Sequence, residues 1–541
     1  MSKDTQNSLV DFDMCLALAQ KAINSQMTAA WESWIARSEF SSIGEMKDFA
    51  LVKIFPLKKD GKPSQYGLEA EFAPLTVSFY VPSGKLGQVE VTLHLQSGTV
   101  TYFDEEEEEK GSYDFKNWSV SFLTDLDKKP CDLKMLEQID PSVRGSAEEV
   151  IKQSGLPDSV FSIEYLFMKF TQVNLLLSDN KNIHIPDDVP KAVRTKALTS
   201  LNNLLQVGAG GAGDFMLGTV VRRSKEKSKE AILPTFALTD FIFNVKADSV
   251  PEASTLSYLG MFARRPLPAN LDTARIALQD NWVRPEMIDG TQGSISGVMA
   301  ISKQVFMEKY LIQALSQSLQ GETLESSGLT WTFKRQEQIP EVSQREACII
   351  PPFYMYCHYD TARDYSLKLE IQPGTNRITL SGQINSHAIY DGYTPDRGPL
   401  GGKEHVSWIH YRGYSDISGS VTLQGEGIGE KFKLNPKLDF SISQVKVTEA
   451  ETKGLADVTE FFAGVLDTLG IIDGTPAEAL ANMQQSILDG LKNALESEFN
   501  NLKLDLSQHA FIPPGGGVFT FQNPRFSNTG DLIFDAIYQA P

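Results

Sequence analysis

The sequence predicts an α+β protein of two related halves, each a highly curved antiparallel β-sheet wrapped around a long amphipathic helix. Three observations predict this fold class. One long apolar stripe at helical spacing lies near the C-terminal end, most other segments have the short pattern of strands, and helix followed by strands occurs twice along the 541 residues. A helix of this length must bury its stripe against an equally long surface, which a curved sheet offers. We place the halves at residues 1–290 and 291–541.

The stretch Thr475 to Leu506 is predicted to be one long amphipathic helix that runs into a strand. Thr475 supplies a capping hydroxyl, Pro476 suits the first helical position, and Glu478 completes a capping box. Apolar residues then recur every three or four positions and form a stripe of about 40 Å at 1.5 Å per residue. The stripe residues expected to line an apolar groove are Met483, Ile487, Leu491, Leu495 and Phe499. An ordinary surface helix of an α+β domain is the alternative for this stretch.

The first half opens with a second predicted amphipathic helix, Asp11 to about Arg37, because its apolar residues recur at helical spacing. Short strands are expected at 50–55, 67–72, 76–80 and 88–95. Ser97-Gly98 is predicted to turn the last of these strands into a hairpin. Five glutamates at 105–109 indicate an exposed loop, since like charges repel. Further helices are predicted near 142–154 and at 190–207, and a strand at 215–221.

One basic run stands out after this last strand. It contains Arg222, Arg223, Lys225 and Lys227. A solvated hairpin tip is the simple interpretation of such a run. It is also the best candidate in the sequence for contact with a lipid phosphate, because basic groups bind phosphate through charge-assisted hydrogen bonds.

The second half repeats the order of the first. Residues 251–292 are rich in proline, aspartate and other loop formers, and the pattern then restarts. Ser302 is predicted to begin a third amphipathic helix that ends before Gly321. Alternating strands follow at 367–371 and 378–384, around a turn at 373–376, and again between 421 and 442.

The composition limits the partners and the compartment. With 50 Lys and Arg against 69 Asp and Glu, the net charge is −19, and we expect no nucleic-acid binding because a polyphosphate needs a local excess of basic residues. The four cysteines form no CxxC pair, so neither a disulfide framework nor a structural zinc site is predicted. Neither a signal-peptide core nor an 18-residue apolar window occurs. We therefore expect a protein that is cytoplasmic when made, with release by a non-classical route left open.

Motifs of catalysis are absent from the sequence. There is no Gly-x-Ser-x-Gly elbow, Walker loop or HExxH pair, and we expect no enzymatic activity, no cofactor and no metal site. His405 and His410 are five residues apart in a predicted strand, so their side chains should point to opposite faces. Cys357 and His358 are adjacent and should also point apart.

Four phrases resemble one family. They are SIEYLFMKF at Ser162–Phe170, PTFALTDFIFNV at Pro234–Val245, GVMAISKQVFMEKYLIQAL at Gly297–Leu315 and PPGGGVFTFQNPRFSNTGDLIFDAIY at Pro513–Tyr538. They are similar to the clostridial accessory proteins encoded beside botulinum neurotoxin genes, the forty-seven-kilodalton type and its OrfX relatives. The resemblance implies the tubular lipid-binding (TULIP) fold, in which a curved sheet encloses an apolar groove. The resemblance also implies kinship with proteins that differ in role. Some of them bind phosphoinositides, and others act beside toxins or are linked with insecticidal activity.

Pattern and resemblance together predict a non-enzymatic lipid-binding protein with two TULIP-like halves, associated with a toxin or virulence system. The partner would be a lipid or phospholipid, held by burial of apolar surface at roughly 25 cal/mol per Å². A basic edge would contact the head group, and contact with a membrane would be peripheral. The alternative is a protein–protein interaction or scaffold component of a toxin complex, with filled grooves and an exposed strand edge as its functional surface.

Overall fold

The computed structural model describes most of the chain. The described residues are 9–36, 50–56, 58, 60, 62–79, 87–104, 108–154, 157–170, 173, 175–176, 183–207, 214–224, 236–278, 281–289, 295–319, 323–338, 348–350, 353–393, 404–426, 433–453, 475–500, 504–505 and 510–539.

A six-stranded antiparallel sheet takes three strands from each side of residue 290, and we call it the shared sheet. In spatial order its strands are β22 (Val518–Phe526), β23 (Leu532–Gln539), β11 (Gly297–Ile301), β1 (Met14–Ala19), β10 (Thr255–Phe262) and β9 (Leu238–Lys246). Strands β1, β10 and β11 are buried at every position. The middle of the sheet is therefore covered on both faces, which explains the continuous apolar runs of these strands.

The predicted helix from Asp11 to Arg37 is wrong in its first part. Residues Met14–Ala19 form strand β1, and helix α1 spans Gln20–Ala36. A run of six small and apolar residues fits a doubly buried strand as well as a helix, and periodicity alone does not separate the two. These residues form a strand rather than a helix because β1 pairs with β10 on one side and with β11 on the other.

The second sheet, which we call the N-terminal sheet, has eight strands. In order they are β2 (Ala50–Ile54), β3 (Gly67–Ser78), β4 (Gln88–Asp104), β5 (Glu109–Cys131), β6 (Phe161–Lys169), β8 (Asp214–Arg223) and β21 (Ala510–Ile512), with β7 (Ile183–His184) beside β5. Strand β4 alternates between buried and half-buried positions over its first eight residues. That alternation agrees with the predicted pattern of one buried face.

The hairpin predicted at Ser97-Gly98 is not formed. Strand β4 continues through both residues, and the register with β3 shifts between Glu71 and Phe72, opposite this point. A Cβ atom on Gly98 would lie 2.4 Å from the carbonyl oxygen of Glu69. The glycine therefore allows two strands to approach closely at an irregularity in their pairing. A Ser-Gly pair in the sequence can mark such an irregularity as well as a turn.

Four of the described helices in the first half cover the N-terminal sheet. They are α1, α2 (Leu133–Ile139), α3 (Pro141–Gln153) and α4 (Lys191–Val207). Helices α3 and α4 confirm the helices predicted at 142–154 and 190–207. Asn24 holds α1 against β3, because its side chain donates to the carbonyl of Val77 at 3.0 Å and accepts from the amide of the same residue at 2.8 Å.

The region 251–292 is more ordered than its composition indicates. It contains β10 and two short helices, α5 (Leu271–Ala277) and α6 (Pro285–Ile288). The loop-forming residues stand at the starts of these elements, where Asn270 accepts from the Thr273 amide at 3.0 Å and caps α5. Proline and asparagine are common both in loops and at helix starts, so the composition of a segment does not separate the two.

The third sheet, which we call the C-terminal sheet, has nine strands. In order they are β12 (Thr323–Ser327), β13 (Thr330–Gln338), β15 (Phe353–Gln372), β16 (Arg377–Tyr393), β17 (His405–Glu426), β18 (Lys433–Ile442) and β20 (Leu504–Asp505), with β14 (Cys348–Ile350) on β15 and β19 (Lys446–Lys453) on β17. The predicted turn at 373–376 joins β15 to β16. The chain is thus α+β with antiparallel, curled sheets.

Two helical segments of the second half match the predicted helices. A π-helical stretch, Gln304–Ile312, continues into α7 (Gln313–Ser318), and α8 spans Pro476–Asn500. The capping box of α8 forms as predicted, with the Thr475 amide donating to Glu478 at 2.6 Å. Helix α8 contacts strands β15 to β19 and α7. Its buried Gln484 donates to Ser386 at 2.9 Å and accepts from Ser415 at 2.8 Å, which fixes the helix on two strands.

One carboxylate ties the first half to the C-terminal segment. Asp140 caps α3 by accepting from the Ser142 amide at 3.0 Å, and its second oxygen accepts from the Gly515 amide at 3.0 Å. We expect Asp140→Ala to lower the free energy of unfolding by about 2 kcal/mol, the sum of a lost cap and a lost buried hydrogen bond. Asp132→Ala is the matched control, because Asp132 caps α2 at 2.7 Å and is exposed. Equal losses in urea denaturation would show that the bond to Gly515 contributes nothing.

Candidate functional site

The five groove residues predicted on α8 are core residues in this structure. Their exposed fractions are Met483 2%, Ile487 5%, Leu491 1%, Leu495 0% and Phe499 1%. The last four share one hydrophobic core with strand residues of the C-terminal sheet such as Leu369 and Leu380. Side chains therefore fill the space beside the helix at these positions. A ligand-lining role for them stays a prediction.

Arg222 lies in a buried ion pair rather than at a free surface. Its Nη2 lies 2.7 Å from Oε1 of Glu164, and the two side chains are 14% and 8% exposed. Its Nη1 donates to the carbonyl of Thr239 at 2.8 Å. Lys128 completes the group, with Nζ 3.3 Å from the second oxygen of Glu164. The charge of Arg222 is thus balanced inside the protein, so its predicted role at a head group has no support in this geometry.

Arg223, the next residue, has a different environment. It is 6% exposed, and its guanidinium lies 5.4 Å from the centre of the Phe161 ring. Its Nε and Nη1 are buried and have no hydrogen-bond partner in the part of the chain that the structure describes. Burial lowers the pKa of this guanidinium. Arg223 therefore remains the candidate for an anion, whereas Lys225 and Lys227 lie outside the described residues.

A small apolar crevice opens where α1, the shared sheet and the N-terminal sheet meet. Its volume of about 10 Å³ is room for roughly one water molecule. The lining residues come from six separate parts of the chain: Leu18, Ile23, Gln26, Leu217, Gly218, Thr219, Leu256, Tyr258, Phe511, Ile512, Pro513 and Phe519. Strand β21 approaches Gly218 so closely that a Cβ there would lie 3.0 Å from the carbonyl oxygen of Ile512. The crevice is therefore a seam between elements from distant parts of the chain.

One polar group in this crevice is unsatisfied. Gln26 is 6% exposed, and its Nε2 has no hydrogen-bond partner among the described residues. A buried amide without a partner costs about 1–3 kcal/mol. The opposite wall is aromatic, with the rings of Tyr258 and Phe511 4.7 Å apart. Sequence reasoning missed this site because no local pattern links α1 to β21, nearly 500 residues away.

The prediction that His405 and His410 point to opposite faces is wrong. The Nε2 atoms of both lie 2.8 Å from Oδ1 of Asp391. The register of β16 with β17 pairs Gly392 with Ser407 but Tyr393 with His405, so β17 has one extra residue between them. This bulge returns His405 to the face that carries His410. The side chain of Cys357, predicted to point away from His358, lies outside the described part.

Two comparisons with solved structures cover almost the whole chain. The chain is similar to P47 of Clostridium botulinum E1, with 11% identity, 98% of this chain and 99% of that chain covered, and a TM-score of 0.44. It is also similar to a lipopolysaccharide binding protein, with 12% identity, the same coverage and a TM-score of 0.31. The first is a protein of the kind that the quoted phrases resemble. Neither a family model nor a curated protein matches the sequence.

None of the helices in the described ranges combines the length and the apolar character that crossing a bilayer requires.

Proposed function

We propose that this protein binds a lipid without catalysing a reaction, and that the acyl chain enters the crevice between α1, the shared sheet and β21. The observation that supports this most directly is the unsatisfied amide of Gln26 in a seam lined mainly by apolar residues. An amide that costs stability in the empty protein is favourable once an ester or carboxyl group accepts its hydrogen bond. Each buried methylene of the chain adds about 0.8 kcal/mol.

Entry of a chain requires one wall of the crevice to move. Helix α1 is held on β3 by Asn24 and by Gln20, whose side chain accepts from the Phe79 amide at 2.8 Å. Strand β21 is three residues long and pairs with β8 through Ala510, Phe511 and Ile512. The β21 wall is the shorter one, and we expect it to open.

Gln26→Leu separates binding from stability. It removes the unsatisfied donor and keeps the volume, so we expect the melting temperature to rise or stay unchanged while the lipid retained after incubation with vesicles falls severalfold. The measurement is native mass spectrometry followed by solvent extraction and lipid analysis. Gln484→Leu is the matched control, because that buried amide is bonded to Ser386 and Ser415. It should lower stability by about 1–3 kcal/mol and leave lipid retention unchanged.

Two results would contradict the proposal. One is retention by Gln26→Leu equal to that of the wild type. The other is a protein that carries no lipid from its host and takes none from phosphatidylcholine or phosphatidylglycerol vesicles.

A protein-interaction role is the second candidate. Among the described residues, β12 at the edge of the C-terminal sheet pairs with β13 alone, and all five of its residues are exposed. An exposed edge is a surface to which another chain can add a strand. A place in a toxin assembly rests on the sequence resemblance. Leu324→Pro in this edge should abolish capture of such a partner without changing lipid retention.

A further inference from the structure

We propose that a cavity at the start of α4 binds a phosphocholine group, a zwitterion with a quaternary ammonium at one end and a phosphate at the other. The cavity lies between the first turns of α4, the end of β4 and the residue before β3, and its volume is about 560 Å³. Sites for small molecules have volumes of about 300–1,000 Å³. We call it the α4 cavity. The residues that carry the proposal are Tyr66, Tyr102, Phe103, Asp104, Lys191 and Lys196.

The β4 side of the α4 cavity suits a quaternary ammonium. The rings of Tyr66 and Phe103 contact each other there, with centroids 5.9 Å apart, and Phe103 is 44% exposed. The Tyr102 ring lies against Gly111 on β5, where a Cβ atom would be 2.3 Å from the ring Cζ. Aromatic faces attract alkylated cations. Asp104, which also lines this side, adds a negative charge.

The α4 side of the cavity suits a phosphate. Lys191 and Lys196 line it, and neither has a carboxylate partner within the described ranges of the chain. Partial burial lowers the pKa of the Lys196 ammonium, so its charge is poorly solvated. An anion beside it would favour the charged form. The positive end of the α4 dipole acts in the same direction, since Lys191 is the first residue of this helix.

A zwitterion uses both sides at once. A simple anion would leave the aromatic side empty and would lie near Asp104 and the exposed Glu108 and Glu109, which follow in the same hairpin. A simple cation would lie near two lysines without a charge to balance theirs. A phosphocholine group places its cation and its anion a few bonds apart, so one molecule can satisfy the two sides of the cavity.

The test is isothermal titration of the full chain with soluble phosphocholine, choline and inorganic phosphate. Phe103→Leu keeps an apolar side chain and removes the ring. We expect it to bind phosphocholine and choline about two- to fivefold more weakly, and phosphate as the wild type does. Lys196→Met keeps the stem and removes the charge. It should bind phosphocholine and phosphate at least about fivefold more weakly, and choline no more weakly than the wild type.

Two controls show that the effects belong to the α4 cavity. Lys152→Met removes an exposed lysine in the last turn of α3, outside the cavity, and should bind all three ligands as the wild type does. Gln26→Leu should bind soluble phosphocholine unchanged, because Gln26 lines the separate crevice proposed for the acyl chain. A failure of the crevice to take lipid therefore leaves this proposal intact, and a failure of the α4 cavity leaves the other.

Vesicles separate the two sources of the group, a lipid head group and a free molecule. Cosedimentation with phosphatidylcholine but not with phosphatidylglycerol, abolished by soluble phosphocholine and in Lys196→Met, would show that the α4 cavity binds the lipid head group. Binding of soluble phosphocholine without cosedimentation would show that the ligand is the free molecule.

Two results would overturn the assignment. One is the absence of binding at millimolar phosphocholine. The other is a phosphocholine affinity that is unchanged in either Phe103→Leu or Lys196→Met. Melting curves check that each variant remains folded.

Discussion

Replacement of Arg222 by glutamate is expected to lower the free energy of unfolding by about 3–5 kcal/mol, the usual cost of leaving a buried charge unpaired. Glu164 is 8% exposed and lies 2.7 Å from Nη2 of Arg222. A second carboxylate at this position would face Glu164 in a poorly solvated site, where Lys128 lies 3.3 Å from Glu164 and is shared with Asp240 at 3.4 Å. The change would also remove the hydrogen bond to the carbonyl of Thr239.

The matched control is Lys53→Glu on the surface of the N-terminal sheet. Lys53 lies 3.0 Å from Glu69, and both side chains are about two-fifths exposed, at 43% and 39%. Exposed pairs contribute about 0–1 kcal/mol, so chemical denaturation should show a small loss for Lys53→Glu and a large one for Arg222→Glu. Equal small losses would mean that Arg222 is not held in the buried pair. Arg223→Gln, which leaves this pair intact, is therefore the appropriate variant for testing anion binding.

Helix α8 could be predicted because the sequence features that define it are local. A capping box, a proline at the first position and a stripe at helical spacing all lie within the same stretch as the helix they define. The turn at 373–376 and helices α3 and α4 have equally local signals. The observed bounds of α3 and α4 and the start of α8 lie within a residue or two of the predicted ones, and β20 follows α8 as the strand predicted after it.

The features that could not be predicted depend on pairing between distant segments. Strand β1 is a strand because β10 and β11 flank it, and its own residues suit either structure. His405 and His410 share a face because of one extra residue in β17, which nothing in the strand sequence indicates. The crevice around Gln26 requires β21 to lie on β8. The division at residue 290 stays a prediction. Two sheets combine strands from both sides of it: the shared sheet, and the N-terminal sheet, which includes β21.

Phe499→Ala tests whether the space beside α8 is filled, and we expect it to lower the free energy of unfolding by about 3–5 kcal/mol. Phe499 is 1% exposed and belongs to a hydrophobic core that also contains Leu369 and Leu380 of the C-terminal sheet. Truncation in a filled core loses the contacts of the ring and leaves a cavity, whereas a side chain that already faces an open groove loses fewer contacts. Glu496→Ala on the exposed side of the same helix is the control, because its weak pair with Lys492 at 3.9 Å should contribute at most about 0.5 kcal/mol.

Denaturation of delipidated protein therefore shows whether α8 borders a filled core or an open groove. A loss near that of the control would contradict a filled core and make the stripe on α8 a groove, with lipid expected to restore stability there. A loss in the expected range leaves the crevice beside Gln26 as the place where a chain can enter. The lipid experiments on Gln26→Leu then test the function directly, because the space beside α8 would have no room for the ligand.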